Sequence, residues 1–249
     1  MAIVVSVGVP RFKKVSSARI SFNPHWVGFA QLGVPRYGAG AFVYNNVLYV
    51  VGGVSRAGVS PAVERIDLET LTRSYGALMP EARAHFAFGV VEGKLYVLGG
   101  VDRGGMPTNT IFVYDIVNNS WSTLPTALPK KVAYCGYSTL GGEIYAIGGV
   151  DEEGNILRDV YSLNTANSTV STKAPLNVAR QNHACAALAN KVYCFGGDDG
   201  SSPLGSVEAY DPVADKWALL DVALPEPLTG LAAISVIYGG RENILLVGG

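Results

Sequence analysis

Charge is scarce in this sequence, and what there is nearly cancels. Asp and Glu number 20 against 19 Lys and Arg, a formal net charge of −1 over 249 residues. No broad field gathers nucleic acid or an anionic membrane, so neither is expected as a partner. Cysteine is equally sparse: Cys135, Cys185 and Cys194 are too few for a disulfide-built fold and fit a reducing compartment. No apolar run approaches the roughly 18–20 residues of a membrane span. The apolar opening, residues 1–10, lacks the basic lead and small-residue cleavage site of a secretory signal. A soluble, cytoplasmic monomer is the expectation. Nucleophile elbows and phosphate-cradling glycine loops are missing too, so no catalytic residue and no cofactor is assigned.

Glycine, by contrast, is plentiful, and its placement is regular. A diglycine ends an apolar run at Gly52-Gly53, Gly99-Gly100, Gly148-Gly149, Gly196-Gly197 and Gly248-Gly249, at spacings of 47, 49, 48 and 52. Three residues before the first four stand Tyr49, Tyr96, Tyr145 and Tyr193, inside runs of β-branched and aromatic residues that read as buried strands. Further upstream, Asn45-Asn46, Glu92-Gly93, Gly141-Gly142 and Ala189-Asn190 suit two-residue hairpin turns. Downstream, Ile66-Asp67, Tyr114-Asp115, Leu163-Asn164 and Tyr210-Asp211 each close a third strand and open a turn through the Asx side chain. Trp121 and Trp217 begin a fourth strand, with Tyr75 and Val170 expected in that place in the other two repeats. The diglycines themselves answer to close backbone approach and unusual φ, where a side chain would strike a neighbouring sheet.

A period near 48 with four strands per unit is the signature of propeller blades. At these residues the chain resembles the kelch-repeat family, most fully in Arg83, Tyr96, Gly99-Gly100, Tyr114-Asp115 and Trp121. The third repeat departs from it, with Val132 in place of the leading Arg and Val170 in place of the Trp. The expected fold is all-β: a single β-propeller of four-stranded antiparallel blades, five in number, over residues 35–79, 80–129, 130–176, 177–225, and 226–249 joined with 1–34. The resemblance implies this mixed closing blade, with residues 18–23 as its third strand and Trp26 opening its fourth. Residues 2–8 sit awkwardly in this count, because they duplicate the strand supplied by residues 243–249. Two strands then compete for one place, or the ring has more blades.

The leading arginines Arg36, Arg83 and Arg180 each precede a diglycine by sixteen residues. Symmetry arrays them around one mouth of the ring, which in kelch rings is a frequent ligand surface. There they either present bidentate donors to carboxylates or phosphates, or tie neighbouring blades together through backbone carbonyls. Tyr37, His85, Tyr134, Gln181 and Asn182 stand beside them, and Arg56 and Arg103 extend the rim from the loops after the diglycines. His25, His85 and His183 lie in different repeats without zinc-type spacing, so no metal is expected. The loop carboxylates Asp151, Glu152, Glu153, Asp198 and Asp199 read as solvated. Cys185 and Cys194 flank the Ala189-Asn190 turn symmetrically and face one another in register. A disulfide is open to them, but buried free thiols are the expectation.

These features favour a non-enzymatic scaffold that binds another protein or an acidic peptide through its loop-lined face. The alternative is an isomerase or mutarotase of small anionic sugars, which certain kelch propellers resembling this chain are; a carbohydrate-binding or assembly module is a third reading. No adaptor domain flanks the repeats, so a ubiquitin-ligase adaptor is not expected.

Overall fold

The computed structural model describes residues 2–5 and 31–249, and every regular element among them is a strand. Among the described residues no helix is long and apolar enough to cross a membrane. The chain opens with β1 (Ala2–Val5). The first sheet is β2 (Gly40–Tyr44), β3 (Val47–Val51), β6 (Val63–Asp67) and β7 (Arg73–Tyr75), with a small hairpin of β4 (Val54–Ser55) and β5 (Gly58–Val59) inserted. The second is β8 (Ala87–Val91), β9 (Lys94–Leu98), β10 (Ile111–Asp115) and β11 (Ser120–Thr123). The third is β12 (Gly136–Leu140), β13 (Glu143–Ile147), β14 (Val160–Asn164) and β15 (Thr169–Lys173). The fourth is β16 (Ala184–Leu188), β17 (Lys191–Phe195), β18 (Ser206–Asp211) and β19 (Lys216–Ala223). Each is an antiparallel meander. A terminal three-stranded sheet, in the order β20 (Leu231–Tyr238), β21 (Arg241–Gly248), β1, follows.

The local chemistry forms these sheets as the repeat implies. Both residues of every first turn have positive φ, from Asn45 (46°) and Asn46 (61°) to Ala189 (48°) and Asn190 (58°), the mirror-image turn that suits a twisted hairpin. The third strands end in Asx turns: Asp67 Oδ1 accepts from the amides of Glu69 and Thr70, and Asp211 Oδ1 from those of Val213 and Ala214. The first four diglycines carry φ of 58–65° at the first residue and 86–93° at the second, whereas Gly248-Gly249 differs, at 86° and 100°. A Cβ on Gly148 would lie 2.5 Å from the Arg180 carbonyl oxygen of the next sheet, and one on Gly197 2.5 Å from that of Gln181 in its own. The second amide of each pair is a hook into the following unit: Gly53 donates to Arg83 O, Gly100 to Val132 O, Gly149 to Arg180 O and Gly197 to Leu228 O, each at 2.8–2.9 Å.

The core lies between sheets. Tyr49 and Val63 of the first pack with Val97 and Tyr114 of the second; Leu98 and Ile111 of the second with Ile144 and Tyr161 of the third; Tyr145 and Val160 with Cys194 and Tyr210; Phe195 and Val207 with Ile244 and Leu246. Two tryptophans latch neighbours, Trp121 Nε1 donating to Ala77 O and Trp217 Nε1 to Ala174 O.

Three expectations are corrected, and the closing blade falls partly outside the described residues. Arg73, not Tyr75, stands opposite Ile66 in the tryptophan's place, and Tyr75 is exposed. Residues 2–5 do not compete with the C-terminal strand: β1 pairs beside β21, from Ala2 with Val247 to Val5 with Ile244, as a third strand. Residues 18–23, His25 and Trp26 lie outside the described residues, so a fourth strand of that sheet does too. The all-β, four-stranded antiparallel architecture is as expected: inner strands pack in the series β8–β12–β16–β20, and among the described residues the sheets form an open arc, the closing strands expected of a fifth blade lying outside those residues. Finally, Cys185 and Cys194 are joined in a disulfide. Their facing register brings the Cα atoms to 4.2 Å, the close spacing that antiparallel strands give alternate pairs, and only Cys135 remains a free thiol.

Candidate binding face

One residue per unit, just before each inner strand, forms a backbone belt around the arc. His85 donates its amide to Gly38 O, Tyr134 to His85 O, Asn182 to Tyr134 O and Gly230 to Asn182 O, at 2.8–3.0 Å. All five have positive φ, between 51° and 70°. That conformation is unfavourable for His, Tyr and Asn and persists where the surrounding bonds over-determine it. The loops after the diglycines border the same belt through bridges Tyr37–Val54, Ala84–Val101, Ala133–Val150 and Gln181–Asp198.

Several side chains on or beside this belt meet. His85 stacks on Tyr134 at 4.3 Å between ring centroids and meets Tyr37 at 5.7 Å. Tyr37 is 65% exposed, so the arc of rings has one open end. Burial holds the His85 imidazole below its usual range and lifts the Tyr134 phenol above its own, so both rings are neutral near pH 7. Farther round, Asp198 gathers Gln181 Nε2 (2.9 Å), Asn182 Nδ2 (3.2 Å) and Thr229 Oγ1 (2.9 Å). Burial works against its charge, but these bonds hold the carboxyl below the ordinary aspartate range. Asp198, Thr229 and the belt glycines Gly38 and Gly230 were missed from sequence; the 47–49-residue spacing of 38, 85, 134, 182 and 230 carries the signal.

The three leading arginines point inward. Arg180, fully buried, bonds Gly196 O (2.9 Å), Ser206 and Glu208 Oε1 (2.8 Å). Arg36 bonds Glu64 Oε2 (2.7 Å) and Gly52 O (3.3 Å), its side chain 2% exposed. Arg83, also buried, reaches Thr110 and Glu81 and lies 5.0 Å over the Phe112 ring. The carbonyls they take belong to their own sheets, so these side chains bind each sheet to itself. Arg56 and Arg103 are exposed on the loops. Most loop carboxylates are turn formers: Asp102, Asp151 and Asp199 each accept backbone amides, and Glu152 pairs with Lys131. His183, two residues before Cys185, is buried beside the disulfide.

Comparison with known proteins agrees with this architecture. The KLHDC2/KLHL20/DRC7 Kelch-repeats domain model matches residues 84–249, and the Kelch motif matches residues 35–80. Kelch-like protein 34 of Homo sapiens is 32% identical over 249 residues, which cover 92% of this chain and 37% of that protein. Kelch-like protein 38 of Homo sapiens is 28% identical over 190 residues, 74% of this chain and 32% of the relative. Kelch domain-containing protein 10 of Rattus norvegicus is 22% identical over 221 residues, 84% of this chain and 44% of the relative. The chain thus spans less than half the length of each of these relatives.

Proposed function

The chain belongs to the kelch-repeat family, and from that premise we propose that it is a non-enzymatic scaffold that binds another protein on its loop-lined face. The fold alone does not assign this role. The observation that carries it is the aromatic arc Tyr37–His85–Tyr134, held on a hydrogen-bonded belt and open at Tyr37. Rigidly positioned aromatic side chains beside variable loops are the usual anchors of protein recognition. An acidic peptide would be met by Arg56 and Arg103, the exposed guanidinium groups among the candidate residues, since Arg36, Arg83 and Arg180 are engaged internally. Engaged in this way, those three side chains are not offered to a sugar carboxylate.

A photo-crosslinking amino acid in place of Tyr37, compared with one in place of Val213 (97% exposed, on the turn between β18 and β19), tests the assignment in native extract. Position 37 is expected to capture a discrete partner that position 213 does not. Equal capture at both, or capture at 213 alone, contradicts it. Replacing Arg56 and Arg103 with Ala then decides the partner's charge: capture weakened by added salt and by these changes marks an acidic peptide.

A further inference from the structure

His183 is a buried polar side chain with nothing to bond. It is 5% exposed, and neither Nδ1 nor Nε2 has a hydrogen-bond partner, a rare condition in a folded interior. What surrounds it is sulfur. His183 immediately precedes β16, two residues before Cys185, the spacing that returns a strand to the same face, and Cys194 lies directly across from Cys185 on β17. The imidazole nitrogen and the two Sγ atoms all lie within 4.8 Å of one another, and all three residues are buried. The third sheet meets them with bare backbone: a Cβ on Gly136 would stand 2.5 Å from His183 Cδ2 and 2.6 Å from Cys185 Sγ.

We propose that the reduced Cys185–Cys194 pair, with the His183 imidazole, is a binding site for a soft monovalent ion, Cu+. Two thiolates and one imidazole are the donors that soft ions select. Zn2+ completes a tetrahedron with a fourth ligand or water, and the remaining cysteine is placed elsewhere: Cys135 donates to Gly148 O at 3.0 Å. Cu+ is satisfied by three ligands in a dry site. Burial pushes the Cys135 thiol up to about 12, so it stays protonated outside the cluster.

The disulfide gates the site. A dithiol reductant delivers two electrons and two protons, breaking the S–S bond to leave two thiols, and is itself oxidised to a disulfide. Cu+ then forms two Cu–S bonds and one Cu–N bond, both thiol protons pass to water, and the metal's oxidation state is unchanged. The resulting complex carries one negative charge, beside Arg180.

The test uses the whole chain and Cu+ presented without oxygen in competition with a chromophoric chelator. Wild-type protein reduced by a phosphine is expected to take about one ion per chain, with sulfur and nitrogen neighbours in X-ray absorption, and the oxidised protein none. His183→Gln in the reduced state is expected to weaken binding by about 100-fold or more, beyond the cost of losing an outer partner. Cys135→Ser is expected to leave it unchanged. The oxidised wild type is the reference, so the outcome does not hang on a variant folding. Equal uptake by both redox forms, unfolding of the reduced chain, loss of binding in Cys135→Ser, or preference for Zn2+ each overturns the proposal.

Discussion

In the fourth sheet Arg180 lies fully buried against Glu208, and Glu208 also accepts from the Asn177 and Val178 amides. In the third sheet the two equivalent positions hold Val132 and Tyr161, packed in one apolar cluster. The second sheet stands between them: Arg83 is kept, but Phe112 replaces the carboxylate and takes the cation on its ring. Yet the backbone hooks are the same in all three, Gly100 to Val132, Gly149 to Arg180 and Gly197 to Leu228. The repeat therefore demands the glycine geometry and the belt, while the clamp between first and third strands accepts ionic, cation–π or apolar solutions.

The largest expected effect separates the fourth sheet from the third. Arg180→Ala leaves Glu208 charged and buried without its cation, and is expected to cost about 3–5 kcal/mol. Val132→Ala removes only apolar contacts, roughly 2 kcal/mol. Urea denaturation of both variants measures the difference, and equal losses would erase the distinction between the clamps.

Next in size is the contrast between two glycines of the same sheet. Gly148→Ala sets a Cβ against the Arg180 carbonyl at φ +58°, whereas Gly141 has the same φ and open space around it. The first is expected to cost about 3 kcal/mol or more, strain and collision together, and the second only the ~1–2 kcal/mol of the left-handed conformation. Similar losses in thermal unfolding would mean that the close approach is not what the glycine serves.

The strands, hairpins, diglycine conformations and Asx turns were legible in the sequence because each rests on a residue whose backbone demand is local: Gly, Asn or Asp at a positive φ or a turn; the hooks were not, since they join residues about 30 positions apart. The direction of the arginines was not, because a guanidinium reads alike whether it faces solvent or a carboxylate. The deciding signal is Glu64 and Glu208, which stand three residues before the closing Asp in two of the Arg-led sheets and were passed over. The disulfide was half legible: its register was readable, its bond was not, since facing cysteines pack equally well as thiols. The pairing of residues 2–5 with β21 joins chain ends by contacts no local pattern encodes.

The smallest effect concerns the candidate binding face. Burial lowers the His85 pKa, so the unfolded chain takes up its proton first as pH falls below about 6.5. Its contribution is present above that pH and fades on acidification towards the lower folded value. His183, more deeply buried, adds to the same slope, so the measurable quantity is the difference between wild type and His85→Phe from pH 7 to 5. A slightly flatter stability profile is expected for the variant; identical profiles would mean that His85 titrates as a free imidazole.

Amide hydrogen exchange by NMR reaches the central claim most directly. If units about 48 residues apart occupy equivalent places along one arc, the amides of Gly53, Gly100, Gly149 and Gly197 are hooks, and those of His85, Tyr134 and Asn182 are links of the belt. They are then expected to be protected together, as strongly as the strand centres. Exchange of the four glycine amides as fast as those of the exposed loop residues Arg56 and Arg103 would contradict the account.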